Sequence, residues 1–171
     1  RPSAKVRRPA TDLPANVTAH LDVGYAQDGD RKLLTDIFVP KGGKGNRPAI
    51  VVVHGGGWLN GDKTKFRALA VKLASLGYVT SAIQYRLGHE AKFPAGIQDC
   101  LASVRFMRSN AKRYRIDPDR IGAVGGSAGG HLVGLMATGW NDADLTGAFD
   151  QSSHSPRVAA AIVMAGPMEM I

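Results

Sequence analysis

Cysteine is nearly absent. The 171-residue sequence holds one, Cys100, which excludes an internal disulfide and any metal site built from several thiolates. Long apolar runs are missing too: the longest, Val158 to Ala165, is far short of the ~18 residues a membrane-spanning helix needs. The expectation is a soluble domain with no membrane span. Neither G-x-G-x-x-G nor G-x-x-x-x-G-K-[ST] occurs, so nucleotide binding lacks its usual backbone cradle. There is no H-E-x-x-H or other clustered ligand spacing either, and no metal or cofactor is expected. Acidic residues are scarce, 14 against 22 basic ones, for a net charge of +8. Arg105, Arg108 and Lys112 recur at helical spacing, with Arg113, Arg115 and Arg120 after them. Aromatic residues make up 6% of the chain, too few for a stacking platform, so these cations read as a solvated helix face and no nucleic-acid partner is expected.

What is present is enough apolar residue, 44%, for one domain with a sizeable core. Residues 1–15 are basic and broken by prolines, and they read as a flexible arm. Val17 to Val23 and Leu33 to Val39 are β-prone segments flanking the turn-forming Asp28-Gly29-Asp30, which predicts an antiparallel hairpin. From Ile50 to Val53 the run is continuously β-branched, as in a strand buried on both faces of a parallel sheet. A helical stripe of Phe66, Leu69, Ala70 and Leu73 ends at Gly77. Val79 to Tyr85 predicts a strand, and Ile97, Leu101, Val104 and Ala111 a helix starting near Pro94. A strand at Ile121 to Val124, a small-residue helix from Ser127 to Thr138 and a strand at Val158 to Ala165 complete a β-α-β-α-β-α-β order. The fold class is therefore α/β, a mostly parallel sheet with helices on both faces, fronted by the hairpin.

Chemistry concentrates in two glycine-rich turns. Residues 125–129 are Gly-Gly-Ser-Ala-Gly, a G-x-S-x-G pattern between a predicted strand and a predicted helix. A nucleophile on so sharp a turn needs neighbours without side chains, and the helix N-terminus beneath it leaves the Ala128 N–H free for developing negative charge. The second turn, His54-Gly55-Gly56-Gly57-Trp58, follows the buried strand directly. Three successive glycines can turn their amides toward one point, as an oxyanion hole requires.

In order and spacing, His54 to Trp58, Tyr85-Arg86-Leu87 with Phe93-Pro94-Ala95, Asp99, and Gly125 to His131 resemble the α/β-hydrolases of the hormone-sensitive-lipase-like and bacterial carboxylesterase families. The resemblance covers residues 17–170. It implies hydrolysis of small acyl esters, acetyl or feruloyl esters of carbohydrate among them. Ser127 would be the nucleophile, the amides of Gly56, Gly57 and Ala128 the oxyanion hole, and Tyr85, Arg86 and Asp99 would tie loops around the site. Residues 16–171 are then the N-terminal part of a single α/β-hydrolase domain, truncated after the strand that follows the nucleophile helix.

The departure from the family lies in the rest of the triad, whose acid and base belong on loops after later strands. Neither is expected within this chain. His54 belongs to the oxyanion turn, His131 is expected to point back into the packing, and His20 and His89 sit on an early strand and a loop. His154, in the loop before the last strand, is a weak candidate base, and Asp142, Asp144 and Asp150 are acids with no stronger claim. The strand at 158–165 would be an open apolar edge, to be covered by a second copy in a homodimer or by a missing C-terminal segment. A catalytically inactive α/β-hydrolase that binds or interacts is the alternative reading.

Overall fold

A computed structural model describes residues 13–147, 149 and 153–169; the basic arm falls almost wholly outside them, as does Asp150. The hairpin forms as expected, with β1 (Val17–Asp28) antiparallel to β2 (Arg31–Pro40). Gly29 supplies the positive φ of the turn, +53°. Beyond it lie β3 (Arg47–Val53), α1 (Arg67–Ser75), β4 (Val79–Ile83), α2 (Ala95–Ser109), α3 (Ala111–Tyr114), β5 (Ile116–Gly126), α4 (Ala128–Thr138), α5 (Ala143–Thr146) and β6 (Ala160–Met164). One six-stranded sheet results, in the order β1-β2-β4-β3-β5-β6. Strands β4, β3, β5 and β6 run parallel, and β2 joins them antiparallel through β4.

The β-branched run takes the middle of this sheet because it has apolar surface for both sides. Val51 and Val53 pack into a core with Ile97, Leu101 and Val104 of α2 and Leu132, Val133 and Met136 of α4. Val52 faces the other way, onto Ala70, Val71 and Ala74 of α1. Successive residues of one strand thus serve opposite layers.

Three expectations need revision. The helix from Pro94 is interrupted at Asn110, whose side-chain amide shares Phe106 O with its own N–H, both at 3.0 Å; the chain resumes as α3 at Ala111, and Arg115 then turns left-handed at φ +58°. The strand before Ser127 is longer than expected, because β5 begins at Ile116. The basic helix face is not simply solvated. Arg105 is buried and donates to Thr146 O at 2.7 Å, while Arg108 donates to Pro118 O and Arg157 O, both at 2.9 Å, and to Ser155 O. Backbone carbonyls crossing the end of α2 need donors, and these guanidiniums supply them.

The edge expectation is met among the described residues. β6 pairs only with β5, and Ile162 remains 58% exposed.

Candidate active site

The register aligns Val53 of β3 with Gly125 of β5, so the two glycine-rich turns leave the sheet side by side at the same end. Ser127 follows β5 at φ +54°, ψ −124°, a conformation that costs a non-glycine residue about 1–3 kcal/mol and has to be held by its surroundings. Its N–H donates to Met164 O at 2.8 Å, and its carbonyl accepts from His131 N–H at 3.0 Å. Gly126 and Ala128 are buried while Ser127 is exposed. The hydroxyl is thereby presented at the top of the turn. A Cβ on Gly129 would overlap the carbonyl oxygens of Val53 and His54, which is why α4 can approach the end of β3 only through glycine.

The Gly55 backbone lies directly against the Ser127 turn: a Cβ there would fall 2.5 Å from Gly126 O and 3.2 Å from Ser127 Cβ. Gly56 and Gly57 continue at φ +140° and +59°, and Trp58 at +59°. The loop closes through Leu59 and Asn60 N–H groups donating to Gly56 O at 3.2 and 3.0 Å, and is tied down where Gly88 N–H donates to Trp58 O at 2.8 Å. Among the described residues the Gly56 and Gly57 amides have no backbone acceptor. Ala128 N–H opens α4 and has no intrahelical partner.

The supports of these turns are buried polar groups. His54 is 1% exposed, its Nδ1 2.9 Å from Gly55 O and its ring stacked 4.4 Å from that of Tyr85. Tyr85 hydroxyl donates to His54 O at 3.1 Å. Burial lowers the His54 pKa, keeping the ring neutral and structural. Arg86 forks onto Asp99, with Nε–Oδ1 3.0 Å and Nη2–Oδ1 2.8 Å, and its backbone N–H donates to Oδ2 at 2.7 Å. Burial raises the Asp99 pKa against the pull of Arg86. Cys100 is fully buried and its thiol is pushed up by burial, leaving it a small core residue.

Sequence reasoning missed a second brace. Asp36 of β2, fully buried, accepts from Lys63 Nζ at 2.6 Å and from Arg67 Nη2. Lys63 also reaches Asp22 at 2.8 Å. These cations follow the glycine loop in sequence, so the ion cluster fastens its far end to the hairpin.

His131, expected to point into the packing, instead lines a pocket of about 170 Å³ with Trp58, Tyr85, Phe93, Ile97 and Leu132. Its ring meets Trp58 edge to face at 5.5 Å, and burial lowers its pKa.

The candidate base His154 is placed elsewhere. Its chain enters β6 at Ala160, paired with Gly122, at the end of the sheet opposite Ser127, and neighbouring Ser155 is fastened to Arg108 at the end of α2. The Nδ1 of His154 lies 3.3 Å from Ser153 Oγ. His20 packs edge-on to Tyr114, and His89 is exposed. Asp142 caps α5 through Asp144 N–H. Among the described residues none of these groups hydrogen-bonds Ser127. Also among them, no three His, Cys, Asp or Glu side chains group as metal ligands, and no helix is long and apolar enough to cross a membrane.

Comparison with known proteins adds the following. The family model described as BD-FAE matches residues 35–171. Esterase LipQ of Mycobacterium tuberculosis is 33% identical over 141 residues, covering 81% of this chain and 34% of its own length. Carboxylesterase NlhH of the same species is 33% identical over 134 residues, covering 78% and 41%. Among solved structures, a bifunctional GH43-CE protein of Bacteroides eggerthii superposes with TM-score 0.79 at 32% identity, over 87% of this chain and 21% of that one. A truncated carbohydrate esterase from gut microbiota gives TM-score 0.75 at 32% identity, over 94% and 60%. The chain therefore spans roughly a third to two fifths of the length of these curated relatives.

Proposed function

The chain belongs to the BD-FAE family and has the α/β-hydrolase fold, and from that premise we propose that it is the nucleophile-bearing part of a serine carboxylic-ester hydrolase. Ser127 Oγ attacks the ester carbonyl and expels the alcohol, leaving an acyl-enzyme that water then hydrolyses. The amides of Gly56, Gly57 and Ala128 hold the oxyanion, and each such donor is worth about 10²–10³ in rate. The triad base and acid come from polypeptide outside this chain, since none of its described histidines reaches Ser127. Polypeptide of that kind, or a second copy in a homodimer, covers the β6 edge. The substrates are small acyl esters, acetyl or feruloyl esters of carbohydrate among them; the naming of one structural relative as a carbohydrate esterase supports this class.

The observation that carries the reading is the contact of Gly55 with the Ser127 turn, which brings unpaired loop amides, a helix N-terminus and an exposed hydroxyl to one place. Replacing Ser127 with Ala in the full-length natural protein tests it. The expected outcome is loss of p-nitrophenyl acetate turnover by at least about 10³-fold, given that removing a triad member leaves only binding and oxyanion stabilisation. Unchanged turnover would refute the nucleophile. A full-length protein that is folded but turns over no ester would leave the binding-protein reading in its place.

A further inference from the structure

The pocket between Trp58 of the glycine loop and His131 of α4 is largely apolar. Trp58, Tyr85 and Phe93 contribute rings, Ile97, Leu132, Ala91 and the glycines lie between them, and Arg86, held by Asp99, and His131 bring the charged and polar groups. At about 170 Å³ it is smaller than the ~300–1,000 Å³ of pockets that hold whole drug-sized ligands, so it suits one ring rather than an extended chain. His131 is placed there by helix geometry. It lies four residues after Ser127 and donates its N–H to the Ser127 carbonyl, which sets it one helical turn from the start of α4.

Two further observations concern the ring itself. His131 Nδ1 is buried and has no hydrogen-bond partner, whereas Nε2 is not among the buried unpartnered atoms. Nε2 is therefore the ring nitrogen left to meet a ligand, and in the tautomer that carries its proton there it is a donor. The wall it packs on is held at a cost: Trp58 has φ +59°, sustained by the Gly88 N–H on its carbonyl and strained for a bulky residue.

We propose that His131 is a specificity-determining residue of the Ser127 site, donating a hydrogen bond from Nε2–H to an acceptor oxygen on a flat ring seated between Trp58 and Phe93. The inference rests on the ester-hydrolase reading above. The ring belongs to either the acyl or the alcohol side of the ester, and the same chemistry recognises both.

The test uses phosphonate esters that modify Ser127, in matched pairs carrying phenyl or methoxyphenyl. In one pair the ring is the retained phosphorus substituent, standing for the acyl side; in the other it is the leaving group, standing for the alcohol side. The wild-type full-length protein reacts about three- to tenfold faster with the methoxyphenyl member of one pair, the range expected of one net hydrogen bond, and that pair identifies the side. His131→Leu brings the ratio to one, and His131→Gln, which retains a side-chain N–H, restores part of it. A ratio that survives in His131→Leu, or that is absent from the wild type in both pairs, overturns the proposal. If no phosphonate modifies Ser127, the ester-hydrolase reading fails on its own terms. The pocket is then read by anisole titration of the Trp58 indole N–H resonance, assigned by its loss in Trp58→Phe, where weaker binding by His131→Leu than by wild type supports the role and equal binding refutes it.

Discussion

Asp36 sits fully buried between Lys63 and Arg67, so removing its charge leaves the buried Arg67 without its carboxylate and Lys63 with Asp22 alone. Breaking a buried ion pair from one side costs about 3–5 kcal/mol. Asp36→Ala is expected to lower the unfolding free energy by that order, read from urea denaturation, and a change below about 1 kcal/mol would show that the cluster relaxes into solvent. The histidines set a separate, pH-dependent expectation. Burial lowers the pKa of His54 and of His131, so the unfolded chain takes up protons at a higher pH than the folded one. Their contribution is therefore complete above the ordinary histidine value of about 6.5 and is lost as pH falls below it. The urea midpoint should drop between pH 7.5 and 5.5, and less steeply in His54→Phe. A flat profile over that window would contradict the buried neutral rings.

Among the elements, those with a strong period were legible in the sequence, and those set by side-chain partners far along the chain were not. The run Ile50 to Val53 shows β3 because a doubly buried strand has to be apolar on both sides, and Gly125 to Gly129 shows the tight strand-to-helix turn because a Cβ at Gly125, Gly126 or Gly129 would overlap its neighbours. The Asp36 cluster was invisible because its partners lie 27 and 31 positions away with no periodic signature. Arg108 reads as a surface cation by composition, and only the crossing of residues 155–157 over α2 turns it into a cap for carbonyls. His131 was misread because helical spacing places it one turn from the start of α4 without saying that Trp58 opens a pocket there. The tightest of these element contacts carries a prediction. Gly129→Ala would press a methyl onto the backbone oxygens at the end of β3, and since backbone cannot yield as a side-chain tip does, it is expected to destabilise by about 1–3 kcal/mol while slowing Ser127 modification. A variant as stable and as reactive as wild type would mean that α4 is less tightly seated than the structure shows.

At the scale of the whole molecule, the sheet brings its two glycine-rich turns to one end and, among the described residues, has β6 at its edge with apolar side chains exposed. Exposed edges of this kind recruit other strands. Ile162→Lys in this chain is expected to reduce concentration-dependent association seen by light scattering, and unchanged association would locate the contact elsewhere. The parallel strands also carry the central claim, because their register brings the His54–Trp58 loop and the Ser127 turn together. The most direct test is intact-mass spectrometry with peptide mapping after a fluorophosphonate is added to the full-length natural protein. The account predicts one adduct, on Ser127, absent from Ser127→Ala; a folded protein that hydrolyses esters yet carries its adduct on another residue, or none at all, would contradict it.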